Sequence, residues 1–185
     1  MVKNLLKKNI VYSNAWFNII EKYYCEEKEP YYGLDTLDYV HVIAITEKDE
    51  ILFVKQYRPI IEEYTLELPG GHIESGQLPE EAALLELKEE TGYIAKSIEL
   101  IGILHPDVGR LTNKIWSYYT EDIIIDDSRN SEHGIELKKY EIERIYDSIK
   151  SGTLNNAQNL GDLFLALPKF VNKLDLFDEI DHESV

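Results

Sequence analysis

The segment Gly70–Tyr93, GGHIESGQLPEEAALLELKEETGY, constrains this chain more than any other stretch. Two adjacent glycines follow a short extended run, Leu66-Glu67-Leu68-Pro69, and a helical pattern then runs from Pro79 to Thr91 before Gly92 stops it. Proline suits the first helical turn, where its missing N–H would be unpaired anyway, and glycine suits the residue past the end. At about 100° per residue, Glu86, Glu89 and Glu90 fall within about 100° of one another, with Leu84, Leu87 and Thr91 opposite. One face should therefore pack on a core while the other presents carboxylates. Like charges at these spacings repel by about 0.2–0.5 kcal/mol per exposed pair. A hard divalent cation, which prefers oxygen ligands, relieves that repulsion. The competing explanation is a solvated acidic face in an acidic protein. The double glycine shifts the balance, because it lets the backbone approach a ligand closely just ahead of the acidic helix.

The rest of the chain reads as an α/β or α+β fold, with hairpins early and helices late. Val40–Thr46 (VHVIAIT) is expected to be a buried strand, joined by the polar turn 47–50 to a second strand at 51–57 in a hairpin. Further strands are expected at 98–104, 115–119 and 123–125. Two helical stripes follow: Ile142, Ile145, Tyr146 and Ile149 before Gly152, and Leu160, Leu163, Phe164 and Leu167 before Pro168. Both read as core packing. In the first forty residues, 10–12, 16–20 and 23–25 suggest short strands of an accessory sheet, and 178–183 reads as a solvated acidic tail.

Bulk properties exclude several functions. The 185 residues suffice for one domain with a sizeable core and leave room for a small appendage. A formal net charge of −16 argues against a nucleic-acid or anionic-membrane partner, since both attract basic patches. A small phosphorylated substrate stays compatible, because cations can bridge carboxylates to phosphates. Cys25 is the single cysteine, so no intrachain disulfide can form, and no apolar stretch approaches the length of a membrane span. A cytoplasmic location is the expectation.

At this point the residues resemble the Nudix family. Gly71, Glu86, Leu87, Glu89, Glu90 and Gly92 occupy the places of its signature, and Tyr93 closes it with an aromatic where an aliphatic is usual. Gln77 stands where the family has its first glutamate, and Leu85 where it has an arginine understood to orient the acidic residues. Outside the signature, Lys55-Gln56-Tyr57-Arg58-Pro59, the run Leu66–Gly71 and Pro106 resemble the ADP-ribose pyrophosphatase branch, and Trp16 sits in a similar context. The resemblance implies an α/β/α sandwich with a mixed sheet. It implies a small N-terminal β extension over 1–39, which in this branch commonly forms homodimers, and a hydrolase domain over 40–185. It also implies a Mg²⁺-dependent pyrophosphohydrolase of a nucleoside-diphosphate sugar such as ADP-ribose, with Mn²⁺ as the alternative ion.

The implied metal ligands are Glu86, Glu90 and the backbone carbonyl of Gly70. Glu89 would be a further ligand or would position the attacking water. A late-loop glutamate serves as general base in that branch, which points to Glu132, with Glu136 its neighbouring alternative. Among cations, Arg58 offers a planar fork for phosphate, against a surface ion pair with Glu62, Glu63 or Glu67. Arg110, in the loop after Pro106, is a second phosphate candidate against a solvated loop charge. Trp16 and Tyr39 could stack on a base, against core or dimer packing, and His72 could contact substrate, against a solvent-facing loop. Gln77 and Leu85 keep two other readings open: a nucleotide-binding module without catalysis, and, within the enzyme class, a housecleaning hydrolase of nucleoside triphosphates.

Overall fold

A computed structural model describes residues 4–26, 28–126 and 134–174. The chain begins with a three-stranded antiparallel sheet of β1 (Lys7–Ser13), β2 (Asn18–Tyr23) and β3 (Tyr31–Asp35), with β2 central. Its third strand lies later than the apolar pattern suggests, because Tyr23 ends β2 and residues 24–26 turn. β3 is fixed by contacts distant in sequence: the Leu34 N–H donates to the Arg110 carbonyl at 2.7 Å, and the Thr112 N–H to the Leu34 carbonyl at 3.1 Å.

The body is built from β4 (Tyr39–Ala44), β5 (Glu50–Arg58), β6 (Glu63–Glu67), β7 (Gly70–His72), α1 (Pro79–Glu86), β8 (Tyr93–Ala95), β9 (Glu99–Leu104), β10 (Ile115–Thr120), β11 (Ile123–Ile125), β12 (Glu136–Glu141), α2 (Ile145–Lys150) and α3 (Ala157–Phe170). One sheet has the order β7-β4-β10-β9 and is mixed, with β4 and β10 parallel. A second, antiparallel, has the order β12-β5-β6, and β11 pairs with β8.

The expected hairpin between β4 and β5 does not form. The two strands share only an isolated bridge, Ile45 to Ile51. Both edges of β4 are taken by β7 and β10, and both edges of β5 by β12 and β6. Each strand is consequently a central one, which is why both are apolar on both faces. Val40, Val42, Ala44 and Leu52 face Ala82, Ala83 and Leu87 on the α1 side, whereas Ile43, Ile45, Ile51 and Phe53 face Ile145, Leu163, Ala166 and Phe170 on the α2–α3 side. The result is an α/β/α sandwich.

Two features of the late helices differ from the periodicity. α3 runs through Pro168 in its last turn instead of stopping before it. Phe164 is 75% exposed and Tyr146 54%, so neither is core. The sheet-facing side of α3 instead carries Leu163, Ala166 and Phe170 together with two buried polar residues, Asn159 and Asp162. No helix among the described residues is long and apolar enough to cross a membrane.

Candidate active site

The site is built where the edge of the mixed sheet meets α1. β7 is an edge strand, and its register against β4 decides where its backbone points. The Val42 N–H donates to the Pro69 carbonyl and the Ile73 N–H to the Asp38 carbonyl, each at 2.9 Å, on either side of the Val40–Gly71 pair. Gly70 lies opposite His41, between two such bonded pairs. In an antiparallel ladder the N–H and C=O of such a residue point away from the partner strand. Accordingly, the Gly70 N–H donates outward to Oε2 of Glu90 at 2.9 Å. The Gly70 carbonyl is on the same free edge.

Both glycines make a close approach, Gly70 to backbone and Gly71 to the end of a side chain. A Cβ on Gly70 would stand 2.1 Å from the Val40 carbonyl oxygen, and one on Gly71 would stand 2.2 Å from Oε1 of Glu86. Glu86 and Glu90, four residues apart on the helix, therefore both close on the double glycine. Glu90 is 95% buried there, with 5% exposed.

Glu89 does not join them, because it is exposed to solvent. The cause is local. Pro79–Glu86 is α-helical, with the Leu78 N–H bound by the Glu81 carboxylate at 3.2 Å. Residues Leu87–Thr91 then form a π turn, in which the Thr91 hydroxyl takes the Leu87 carbonyl, and Gly92 closes it at φ 73°. A π turn closes i→i+5, so each residue advances by less than in an α-helix. The residue three after Glu86 then swings away from it, while the residue four after stays close. Among the described residues, no group of three His, Cys, Asp or Glu side chains converges tightly enough to hold a metal ion. The donors gathered here are two carboxylates and one outward carbonyl, a hard-oxygen set that fits a Mg²⁺ or Mn²⁺ ion keeping several of its waters.

Arg58 stands beside this edge. Its Nε and Nη2 both donate to Glu67, each at 2.7 Å, so the alternative to phosphate binding, an ion pair, does form, with Glu67 and in a bidentate fork. Glu67 comes from the strand that leads into the double glycine. Burial pushes the Glu67 carboxyl up, but hydrogen bonds from Arg58 and Thr65 and the charges of Arg58 and His41 outweigh it and hold it below the usual carboxylate range. The Arg58 guanidinium is raised above its ordinary value, first by the Glu67 hydrogen bond and also by the charges of Glu67 and Glu90. About half of its side chain is still exposed.

The His72 and Tyr39 rings pack with centroids 4.3 Å apart. His72 is thus half-buried against an aromatic, and burial, with the Arg58 charge, pushes its pKa down. Trp16 is 75% exposed and shares a cavity of about 480 Å³ with His72, Glu74, Asn14, Asp35 and Thr36. The Asn14 carboxamide oxygen orders that corner by accepting the Trp16 and Phe17 N–H groups at 2.8 and 2.9 Å.

Arg110 is not brought to the double glycine. It lines a separate cavity of about 410 Å³ beside Lys22, Tyr31 and Tyr32, and approaches Asp107 at 3.8 Å. Glu132 lies outside the described residues. Glu136 is exposed on β12 and paired with Lys138 at 2.5 Å.

Sequence reasoning missed a buried polar cluster beneath the site. His41 Nδ1 meets Asp162 at 2.7 Å, the Ser117 hydroxyl donates to the other Asp162 oxygen, and the Asn159 carboxamide oxygen accepts the Leu68 N–H at 3.0 Å. The available signal was a pair of polar residues three apart inside an otherwise apolar helical stripe.

A family model for the NUDIX domain matches residues 36–143, more than half of the chain, and the chain belongs to the Nudix family. Among curated proteins, the chain is 30% identical over 122 residues to an ADP-ribose pyrophosphatase of Bacillus subtilis (strain 168), covering 64% of this chain and 66% of the relative. It is 40% identical over 97 residues to an ADP-sugar pyrophosphatase of Mus musculus, covering 50% of this chain and 44% of the relative. The matches thus span just under two thirds of the first relative's length and less than half of the second's. The fold is that of a solved structure described as an ADP compounds hydrolase, with a TM-score of 0.79 at 20% identity over 91% of this chain and 94% of the other.

Proposed function

We propose that the protein is a Mg²⁺- or Mn²⁺-dependent pyrophosphohydrolase that cleaves the diphosphate of ADP-ribose or a related nucleoside-diphosphate sugar. The observation that carries this reading is the closure of Glu86 and Glu90 on the Gly70–Gly71 turn, which sets two carboxylates beside an outward backbone carbonyl. The similarity to an ADP-ribose pyrophosphatase and an ADP-sugar pyrophosphatase supports the substrate class.

In this reading Glu86, Glu90 and the Gly70 carbonyl hold the ion. When bound, it polarises diphosphate oxygens and lowers the pKa of a bound water. Glu89, facing solvent at the rim, positions the attacking water or completes the ion's shell. Water adds to one phosphorus, the P–O bond to the bridging oxygen breaks, and ADP-ribose yields AMP and ribose 5-phosphate. The proton released by the water is assigned to Glu132, with Glu136 as the alternative.

Arg58 is held by Glu67 with its fork partly committed and its charge directed along the site edge, where it offsets phosphate charge. The exposed Trp16 ring, in the cavity it shares with His72, is the stacking surface for the base. Arg110 lies in its own cavity and would meet only a distant part of the substrate. Exposed Ile10 and Tyr12 on the edge strand β1 support a homodimer through the N-terminal sheet.

Incubation with Mg²⁺ and ADP-ribose, followed by assay for AMP, tests the reading. Glu90→Gln should abolish turnover with the fold retained, and survival of turnover would overturn the metal assignment. Gln77 and Leu85 favour one competing reading, a binding module, against which the converging pair of carboxylates stands. That reading wins if nucleotide binds while no diphosphate sugar or nucleoside triphosphate is turned over.

A further inference from the structure

We propose that the buried Asp162–His41 pair is a positioning unit for the metal-facing edge of β7, setting the backbone of Gly70, whose N–H bonds Glu90 and whose carbonyl would face the ion. The proposal rests on the divalent-metal reading above. It concerns residues in the core behind the carboxylates.

Asp162 is fully buried on α3. A buried carboxylate is tolerated only when its oxygens are paired, and here one takes the Ser117 hydroxyl and the other His41 Nδ1. The imidazole is thereby fixed in its plane. Its Cδ2 stands 2.7 Å from where a Cβ on Gly70 would lie, so the ring packs directly on the Gly70 backbone. One helical turn earlier, Asn159 holds the Leu68 N–H. Between the two points, the Pro69 carbonyl accepts from Val42.

α3 thus grips the strand into the double glycine at Leu68 directly and at Gly70 through His41. The Gly70 backbone is left one orientation, with its N–H and C=O on the free edge. Helix docking alone does not call for this cluster, since Leu163, Ala166 and Phe170 already supply apolar contact on the same side. What the polar residues add is direction, as groups behind a metal's ligands commonly do.

The test uses the full-length protein without substrate. Mn²⁺ affinity is measured by isothermal titration calorimetry, and exchange of the Gly70 amide by NMR, for Asp162→Asn, His41→Asn and Glu90→Gln. Asp162→Asn keeps the shape and the Ser117 contact but loses the charge that fixes His41. His41→Asn keeps a donor toward Asp162 and removes the ring from Gly70, so it serves if the first variant does not fold. The expected result in either is Mn²⁺ affinity about tenfold or more weaker and faster Gly70 exchange, with substrate KM at saturating metal unchanged. Wild-type Mn²⁺ affinity and Gly70 protection in the folded variants, even with a lowered Tm, would overturn the proposal and leave a structural role. If Glu90→Gln also keeps wild-type affinity, the metal reading itself falls. If it loses affinity while the other two keep it, only the positioning proposal falls.

Discussion

The two glycines at the site make opposite predictions although they are adjacent. At Gly70, an added Cβ would sit 2.1 Å from the Val40 carbonyl oxygen and 3.1 Å from its carbon, both backbone atoms of a fully buried central strand. To reach an ordinary contact of 3.4 Å or more, β7 must move off β4 by more than about 1 Å, which overpacks the edge at a cost of about 1–3 kcal/mol. For a chain of this size that is a Tm loss of roughly 2–12 °C. At Gly71, the added Cβ would meet Oε1 of Glu86 at 2.2 Å and its carboxyl carbon at 2.5 Å, the far end of a flexible side chain. The carboxylate can swing aside, and Gly71 has no positive φ to strain. Gly71→Ala should therefore leave Tm unchanged or raise it slightly, by about 0.4–1 kcal/mol of unfolded-chain entropy. It nevertheless displaces Glu86, the proposed metal ligand, by about 1 Å, a misplacement that can cost on the order of 100-fold in rate. Differential scanning fluorimetry and AMP release from ADP-ribose separate the two effects. Full activity in Gly71→Ala would refute the placement of Glu86 as a ligand. An unchanged Tm in Gly70→Ala would refute the close packing of β7 on β4.

Three further outcomes follow from the same geometry. Leu85→Arg, at a 44% exposed helix position, should leave stability within about 0.5 kcal/mol and match or raise turnover by ordering the glutamates; a large loss of activity would show that Leu85 itself serves the reaction. Glu67 is held below its unfolded-state pKa, so its contribution to stability is present above about pH 4.5 and is lost as pH falls through the folded value. Urea midpoints of Glu67→Gln should accordingly fall less steeply than wild type between about pH 5 and 3, and parallel curves would refute the pairing with Arg58 as the cause. Trp16→Ala removes an exposed ring, so KM for ADP-ribose should rise about tenfold from lost stacking with Tm unmoved, and an unchanged KM would remove Trp16 from the substrate site.

Much of the fold could be read from periodicity, and the errors have a common origin. Val40–Thr46 and Ile51–Tyr57 were recognisable as strands because each holds an unbroken apolar run, Val42–Ile45 in the first and Ile51–Val54 in the second. That same continuity signals a central strand with both edges occupied, which a two-stranded hairpin does not supply. The short connecting turn suggested the hairpin, and the pairing of β4 with β10 and of β5 with β12, far apart in sequence, decided otherwise. β12 itself, ELKKYE, is half exposed and charged, so its strand identity comes from pairing with β5. Phe164 entered an apolar stripe by spacing alone. The wheel cannot say which side of a helix meets a sheet, and in α3 the buried side includes Asn159 and Asp162 instead.

The site divides along the same line. Glu86, Glu90 and the double glycine lie close in sequence on one strand–loop–helix unit, so their spacing nearly determines their meeting. Glu89 is the instructive exception: the α-helical wheel placed it with them, and a single wider turn, fastened by the Thr91 hydroxyl, moves it to solvent. A threonine near a helix end that bonds back to its own turn is weak evidence in sequence, because the same residue serves as readily in a regular helix. The support behind the site is the least legible part. His41 is one polar residue inside VHVIAIT, and Asp162 is one acid inside an apolar helix. Each alone reads as an imperfection in its pattern. They become informative only together, once the parallel pairing of β4 with β10 and the docking of α3 bring residues 121 positions apart within 2.7 Å behind Gly70. A buried charge with a specific partner, next to a backbone that admits no side chain, marks where packing has been subordinated to the direction of one residue's backbone.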